Sequence, residues 1–199
     1  MEKRVRLNKK GVLPVWILFF SGFLIGVLIP NTIWRLEWHQ KTAASIYLLG
    51  TFADKSMEGN RYLWHVLRVR GGYFLLTVLC GFSVFGVPLA VLGILFLGLE
   101  IGMILTLSIL QFGLAGGAVG VCLFLPQYLL YLPAIFFLMS LVYGQSVEIW
   151  KNRGIFPQRI RKYMLGVFLT GLAYAGGILL EVYCNPWVTE MLIKGLKIF

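Results

Sequence analysis

Few side chains in this chain are able to do chemistry, and most of those lie in apolar surroundings. Glu100 sits inside GLEIG, and Gln127 inside LPQYLLYLPA. An ionised carboxylate in the middle of a membrane helix costs at least about 2.5 kcal/mol on insertion scales, so Glu100 must face other protein or water, or lie close enough to a helix end to snorkel. It is a buried ionisable candidate for ion or solute passage. Glu181, near the end of the last apolar run, reads more simply as interfacial. His39 and His65 fall in a polar stretch without the HExxH spacing of a zinc site. Ser83 in GFSVFG does not match a GxSxG elbow, and no histidine at membrane depth is present to activate it. Cys80, Cys122 and Cys184 show no CxxC spacing and read as small packing residues. These patterns imply no enzyme, no metal and no cofactor.

The elements that position these side chains must be membrane helices. Hydrophobic residues make up 59% of the chain and charged residues 13%, outside the range of soluble domains. At 199 residues there is room for one membrane domain and no sizeable soluble one. A span needs about 20 apolar residues to cross about 30 Å of hydrocarbon. Val12 to Pro30 provides one; it is longer than a signal-peptide core and is closed by no small-x-small site, so it reads as an uncleaved span. Gly71 to Leu125 follows with Glu100 as its one formal charge, and further apolar runs cover residues 127–147 and 163–183.

Breaks are expected at Gly86-Val87-Pro88, at Gly98 to Gly102 and at Gln111-Phe112-Gly113, giving about six apolar pieces. The charges limit how many of these cross. The net charge of +10 could suggest nucleic acid, but the basic residues cluster before the first run and in the loop Lys151 to Lys162, as expected of cytoplasmic segments. Both clusters lie on one side only if an even number of crossings separates them. The expectation is an all-α polytopic protein with about five crossings plus a re-entrant or broken helix in the glycine-rich core, and no nucleic-acid partner. Within one domain, residues 1–11 form a basic cytoplasmic tail and 12–30 the first span. Residues 31–70 form an extracytoplasmic amphipathic loop, 71–149 the core and 150–162 a basic cytoplasmic loop. Residues 163–183 form the last span and 184–199 an outer tail. Pro126 is expected at the start of a span and Pro133 as a kink.

Small residues recur four apart at Gly22/Gly26, Gly98/Gly102, Gly113/Gly117 and Gly116/Gly120. This spacing lets helix backbones approach closely, where packing drives association because lipid supplies no hydrophobic force between helices. The same faces serve packing within the chain or contact with another membrane protein.

Three motifs then resemble the stage II sporulation protein M family: GVPL (Gly86, Pro88, Leu89), LPQYLLYLPA (Leu125, Pro126, Gln127, Pro133, Ala134) and EVYCNP (Glu181, Tyr183, Pro186). The polar first loop, the basic segment before the last span and the length also agree, so the resemblance covers nearly the whole chain. In the wider family a histidine and an acid are usual where Gln127 and Tyr131 stand here, and Gln127 is similar to what the sporulation branch carries. The resemblance implies a non-enzymatic mother-cell scaffold required for engulfment of the forespore. It would sit in lipid at the septal membrane and anchor the peptidoglycan-degrading stage II sporulation proteins D and P. Its contacts would be the outer loop, the region of Glu181, Tyr183 and Pro186, and open glycine faces. The alternative reading is a small permease or channel-like subunit with a polar path at Glu100 and Gln127.

Overall fold

The computed structural model describes residues 13–33, 59–152, 160–185 and 187–188, with backbone alone at 33, 59–60, 111–116, 118–120 and 122–123. Most of the polar loop, the basic tail and loop, the outer tail and Pro186 lie outside the described residues, as do the surroundings of Gly113, Gly116, Gly120 and Cys122. Among the described residues the chain is helical and has no strand. Helix α1 covers Val15–Ile33, α2 Gly59–Cys80, α3 Gly86–Lys151 and α4 Ile160–Leu179, the last continued by a π-helical turn at Leu180–Cys184.

Helix α3 runs unbroken in its hydrogen bonding for 66 residues. Drawn out straight it would measure about 100 Å, three times the thickness of hydrocarbon. Its own contacts exclude that. Gly86 packs against Val142 and Ser146, Gly93 against Met139, and Gly117 against Ile109. Leu97 and Ile101 share a core with Phe124 and Tyr128. The helix therefore doubles back within the glycine-rich residues between Leu110 and Phe124. It forms an antiparallel pair, arm one (Gly86–Leu110) and arm two (Phe124–Lys151), and each arm is long and apolar enough to cross a membrane. The break expected at Gln111 to Gly113 is realised as this fold-back, in a stretch where Gly113, Gly116, Gly117 and Gly120 follow one another closely enough to let two helical arms close on each other.

The break expected at Gly98 to Gly102 does not occur, because those glycines lie inside arm one and serve as a contact face. Leu95 and Leu99 of arm one press their carbonyl oxygens on Gly22 and Gly26, while Phe19 and Phe23 of α1 do the same to Gly98 and Gly102. Each helix meets the other's backbone with its own glycines, and α1 runs parallel to arm one. A β-carbon at any of the four would overlap a carbonyl group. The glycine faces at these positions are consumed within the chain.

Helix α2 lies along arm two. Its Val66 shares a core with Tyr128 and Val182, and its Val78 shares one with Leu138, Val142 and Tyr163. Helix α4 runs the opposite way, from Tyr163 beside Val142 to Tyr174 and Ile178 beside Tyr131. The described residues thus make five alternating passes: α1, α2, arm one, arm two and α4. All but α2 have the length and hydropathy of a membrane span. Helix α2 begins at Gly59, well before the boundary expected at Arg70, so its first twelve residues carry Arg61, His65, Arg68 and Arg70. Only Gly71 to Cys80 is apolar, about 15 Å of helix. Five passes put Leu13 and Lys151 at one end of the bundle and Val182 at the other. Exposed Trp150 marks the first end, and exposed Trp64, Tyr183 and Trp187 mark the second, the position at which amphipathic rings meet headgroups.

The turn from α2 into α3 occupies residues 81–85, where a run of short bonds from Gly81, Phe82 and Ser83 to the carbonyls of Val78, Leu79 and Cys80 closes α2. Pro88 falls in the first turn of α3, where its missing N–H would have no partner anyway. Near hydrocarbon, the carbonyls left over at a helix end need donors from the protein. Tyr163 donates its hydroxyl to the Val78 carbonyl at 2.8 Å, and the fully buried Ser146 lies 3.5 and 3.4 Å from the carbonyls of Cys80 and Gly81. Gly86 leaves room for that serine. The GVPL segment is in this way built around a helix turn whose carbonyls are covered by α4 and arm two.

Candidate functional site

Pro126 and Pro133 both lie inside helical backbone, and arm two carries Gln127, Tyr128, Tyr131 and Ala134 on its buried side. Tyr131 is the largest fully buried side chain among the described residues. A phenol at that depth requires a partner for its hydroxyl. It donates to Glu181 Oε2 at 2.7 Å, and the other carboxylate oxygen, Oε1, accepts from Arg70 Nη2 at 3.2 Å. The Arg70 guanidinium lies 5.4 Å from the centre of the Tyr131 ring, and Tyr174 packs against the same ring at 4.8 Å. Gly177 leaves the space that the Tyr131 ring fills. Helices α2, α4 and arm two are tied together at one point by an ion pair, a charge-assisted hydrogen bond and a cation–π contact.

Glu181 reaches this point because the helix widens there. The π-helical turn Leu180–Cys184 inserts an extra residue into the spiral. Glu181 is turned inward, its side chain 12% exposed, while Tyr183 faces outward. The interfacial reading of Glu181 gains partners: near the end of the last span, the carboxylate is turned into the bundle and held by Arg70 and Tyr131. Arg70, read from sequence as the end of a loop, is a helical residue with a third of its side chain exposed.

Glu100 takes a different place. It is exposed on arm one and lines a groove of about 560 Å³ that also takes in Arg70, Tyr73, Thr77, Phe96 and Tyr174. Gln127 is buried, 5% exposed, and is not part of that lining. The two residues expected to share a polar path are therefore not brought together, whereas Glu181 and Tyr131, taken from two different motifs, are. Leu89 is half-buried in the first turn of α3, and Ala134 is buried in the core around Tyr131. Leu125 and Pro133 are exposed on the outer side of arm two. Cys80 and Cys184 are half-buried free thiols at opposite ends of the bundle. Among the described residues no three His, Cys, Asp or Glu side chains gather where a metal ion could be held.

The Arg70–Glu181 pair escaped the sequence reading because its members stand 111 residues apart. One signal was available. An arginine closing a polar stretch and a glutamate ending the last span are unlike charges on helices that must pass each other, and each borders an apolar run. Compared with family models, with curated proteins and with solved structures, the chain matches none.

Proposed function

We propose that this chain is a non-enzymatic membrane scaffold of the stage II sporulation protein M type, holding peptidoglycan-degrading partners at the septal membrane during engulfment. The observation that carries this reading is the convergence of its motifs. LPQYLLYLPA and EVYCNP, which point to the family separately, meet through the Tyr131–Glu181 hydrogen bond. GVPL opens α3 directly after the turn that α4 and arm two cover, and its Gly86 makes room for Ser146 there. Residues of the family motifs are here spent on joining helices, which suits a body whose task is to hold others in place.

In this reading the first end of the bundle is cytoplasmic. Lys151, Arg161 and Lys162 are exposed there, and basic residues close to spans are retained on that side. Residues 34–58 then fall on the outer face, where the hydrolases work. The contact surface narrows accordingly to that loop and the exposed aromatics Trp64, Tyr183 and Trp187. Glu181 and the glycines of α1 and arm one are already engaged inside the bundle and are removed from it.

The test is co-purification of the full-length protein with stage II sporulation proteins D and P. Both are expected to be retained by the native chain and lost when residues 34–58 are replaced by a neutral linker, with membrane insertion unchanged. Normal engulfment in cells that lack the chain would overturn the proposal.

A further inference from the structure

The groove beside the ion pair has a chemistry that internal packing leaves unused. It lies between α2 and arm one, with arm two as its floor, and its lining is apolar apart from Arg70, Tyr73, Thr77, Glu100 and Tyr174. Glu100 is exposed and joins no hydrogen bond or ion pair among the described residues. At a rise of about 1.5 Å per residue it stands about 21 Å from Gly86 and about 15 Å from Leu110, too deep for a short side chain to reach either surface. A carboxylate in that position has no counter-group among the described residues, and a cationic partner would stabilise it.

We propose that this groove seats the transmembrane helix of a partner protein that carries one basic side chain at mid-membrane depth. The charges select that occupant. The groove lining holds one cation, Arg70, and one carboxylate, Glu100; Arg70 is committed to Glu181 outside the lining, which leaves Glu100 as the unpaired charge of the lining. A lysine or arginine descending on Phe96 and Tyr73 would neutralise it, and the apolar remainder of the lining would take the rest of the helix. The nearer end of arm one lies about 15 Å from Glu100 along the helix, beyond the reach of a glutamate side chain toward headgroups there. A second copy joined by a two-fold axis through the groove would set Glu100 against Glu100, and like charges in low dielectric repel. The proposal rests on the scaffold reading and gives it a partner type: a membrane-anchored protein with a basic residue inside its anchor.

The experiment places the full-length protein in phosphatidylcholine vesicles with synthetic Leu/Ala transmembrane peptides of about 24 residues, bearing Lys, Glu or Leu at the centre. Binding is read by fluorescence transfer and by a photo-crosslinker at Phe96. The lysine peptide is expected to bind about tenfold tighter than the leucine peptide and to crosslink at Phe96. Glu100→Gln should abolish that preference without changing the melting temperature, and Glu100→Lys should transfer it to the glutamate peptide. Equal binding of the lysine and leucine peptides, a preference that survives Glu100→Gln, or crosslinking of Phe96 to a second copy would each overturn the proposal. Because the peptides replace the hydrolases, loss of co-purification with a surviving lysine preference would sink the scaffold reading's named partners and leave the groove assignment standing.

Discussion

Two seams hold this bundle together, and they use opposite materials. Between α1 and arm one, glycines bring backbone against backbone, with no side-chain hydrogen bond across the contact among the described residues. Where α2, α4 and arm two meet, Arg70, Glu181 and Tyr131 reach across with long side chains and polar atoms. In lipid, where apolar surface alone gives helices no reason to associate, the first seam gains from the number of close contacts and the second from the strength of a few. The glycine seam has no slack, since any added atom meets a carbonyl. The polar seam tolerates change in shape but depends on each partner being present.

The contrast can be broken most sharply on the glycine side. Gly26→Leu should drive a side chain into the Leu99 carbonyl and separate α1 from arm one, at a cost of about 3 kcal/mol or more. Detergent-denaturation in bicelles would read this as loss of the folded form, and an unchanged midpoint would refute the close seam. Next in size is Arg70→Met, which leaves Glu181 inside the bundle without its cation. The expected loss is about 2 kcal/mol, below the usual range for buried pairs because Arg70 is partly exposed. The double change Arg70→Met with Glu181→Met should recover much of it, and strict additivity in that cycle would show that the two do not interact.

Tyr131→Phe keeps the ring against Tyr174 and Gly177 and removes only the hydroxyl at 2.7 Å from Glu181. A loss of about 1 kcal/mol is expected, typical of a hydrogen bond inside a membrane. The smallest effect belongs to Gly144→Ala. A β-carbon there meets nothing within 4 Å, so the change should stabilise by about 0.5 kcal/mol through helix propensity alone. Destabilisation at Gly144 comparable to that at Gly26 would mean that glycine position is irrelevant and that the seam is not special.

The helical membrane architecture was legible because hydropathy over a span is a local property of the chain. The parity of the passes was legible because the basic clusters constrain it. Gly22, Gly26, Gly98 and Gly102 announced a close contact by their spacing, but spacing names a face and leaves its partner open. For the same reason Gly98 to Gly102 was expected as a break: glycine weakens a free helix and favours a packed one, and only the presence of α1 decides between them. The ion pair was least legible. Arg70 and Glu181 have unremarkable neighbours in sequence, and their meeting depends on how α2 passes α4 and on the π-helical turn that aims the carboxylate, neither of which leaves a local pattern. Glu100 stood out as a charge within an apolar run, while its surroundings, a groove shared with Arg70 and without Gln127, required the fold.

The parallel seam also orders the birth of the molecule. Helix α1 emerges first, but Leu95 and Leu99, which cover Gly22 and Gly26, are made only after α2 and the turn at residues 81–85 have left the ribosome. Until then α1 waits in the bilayer with its glycine stripe uncovered, open to whatever small-residue helix drifts past. Arm one must be delivered beside a helix already in place, and arm two, joined to it through the glycine-rich bend, follows as its immediate neighbour. Slow synthesis across residues 59–85 would lengthen the wait, and crowding of nascent chains would offer α1 the wrong companion, the arm one of another copy.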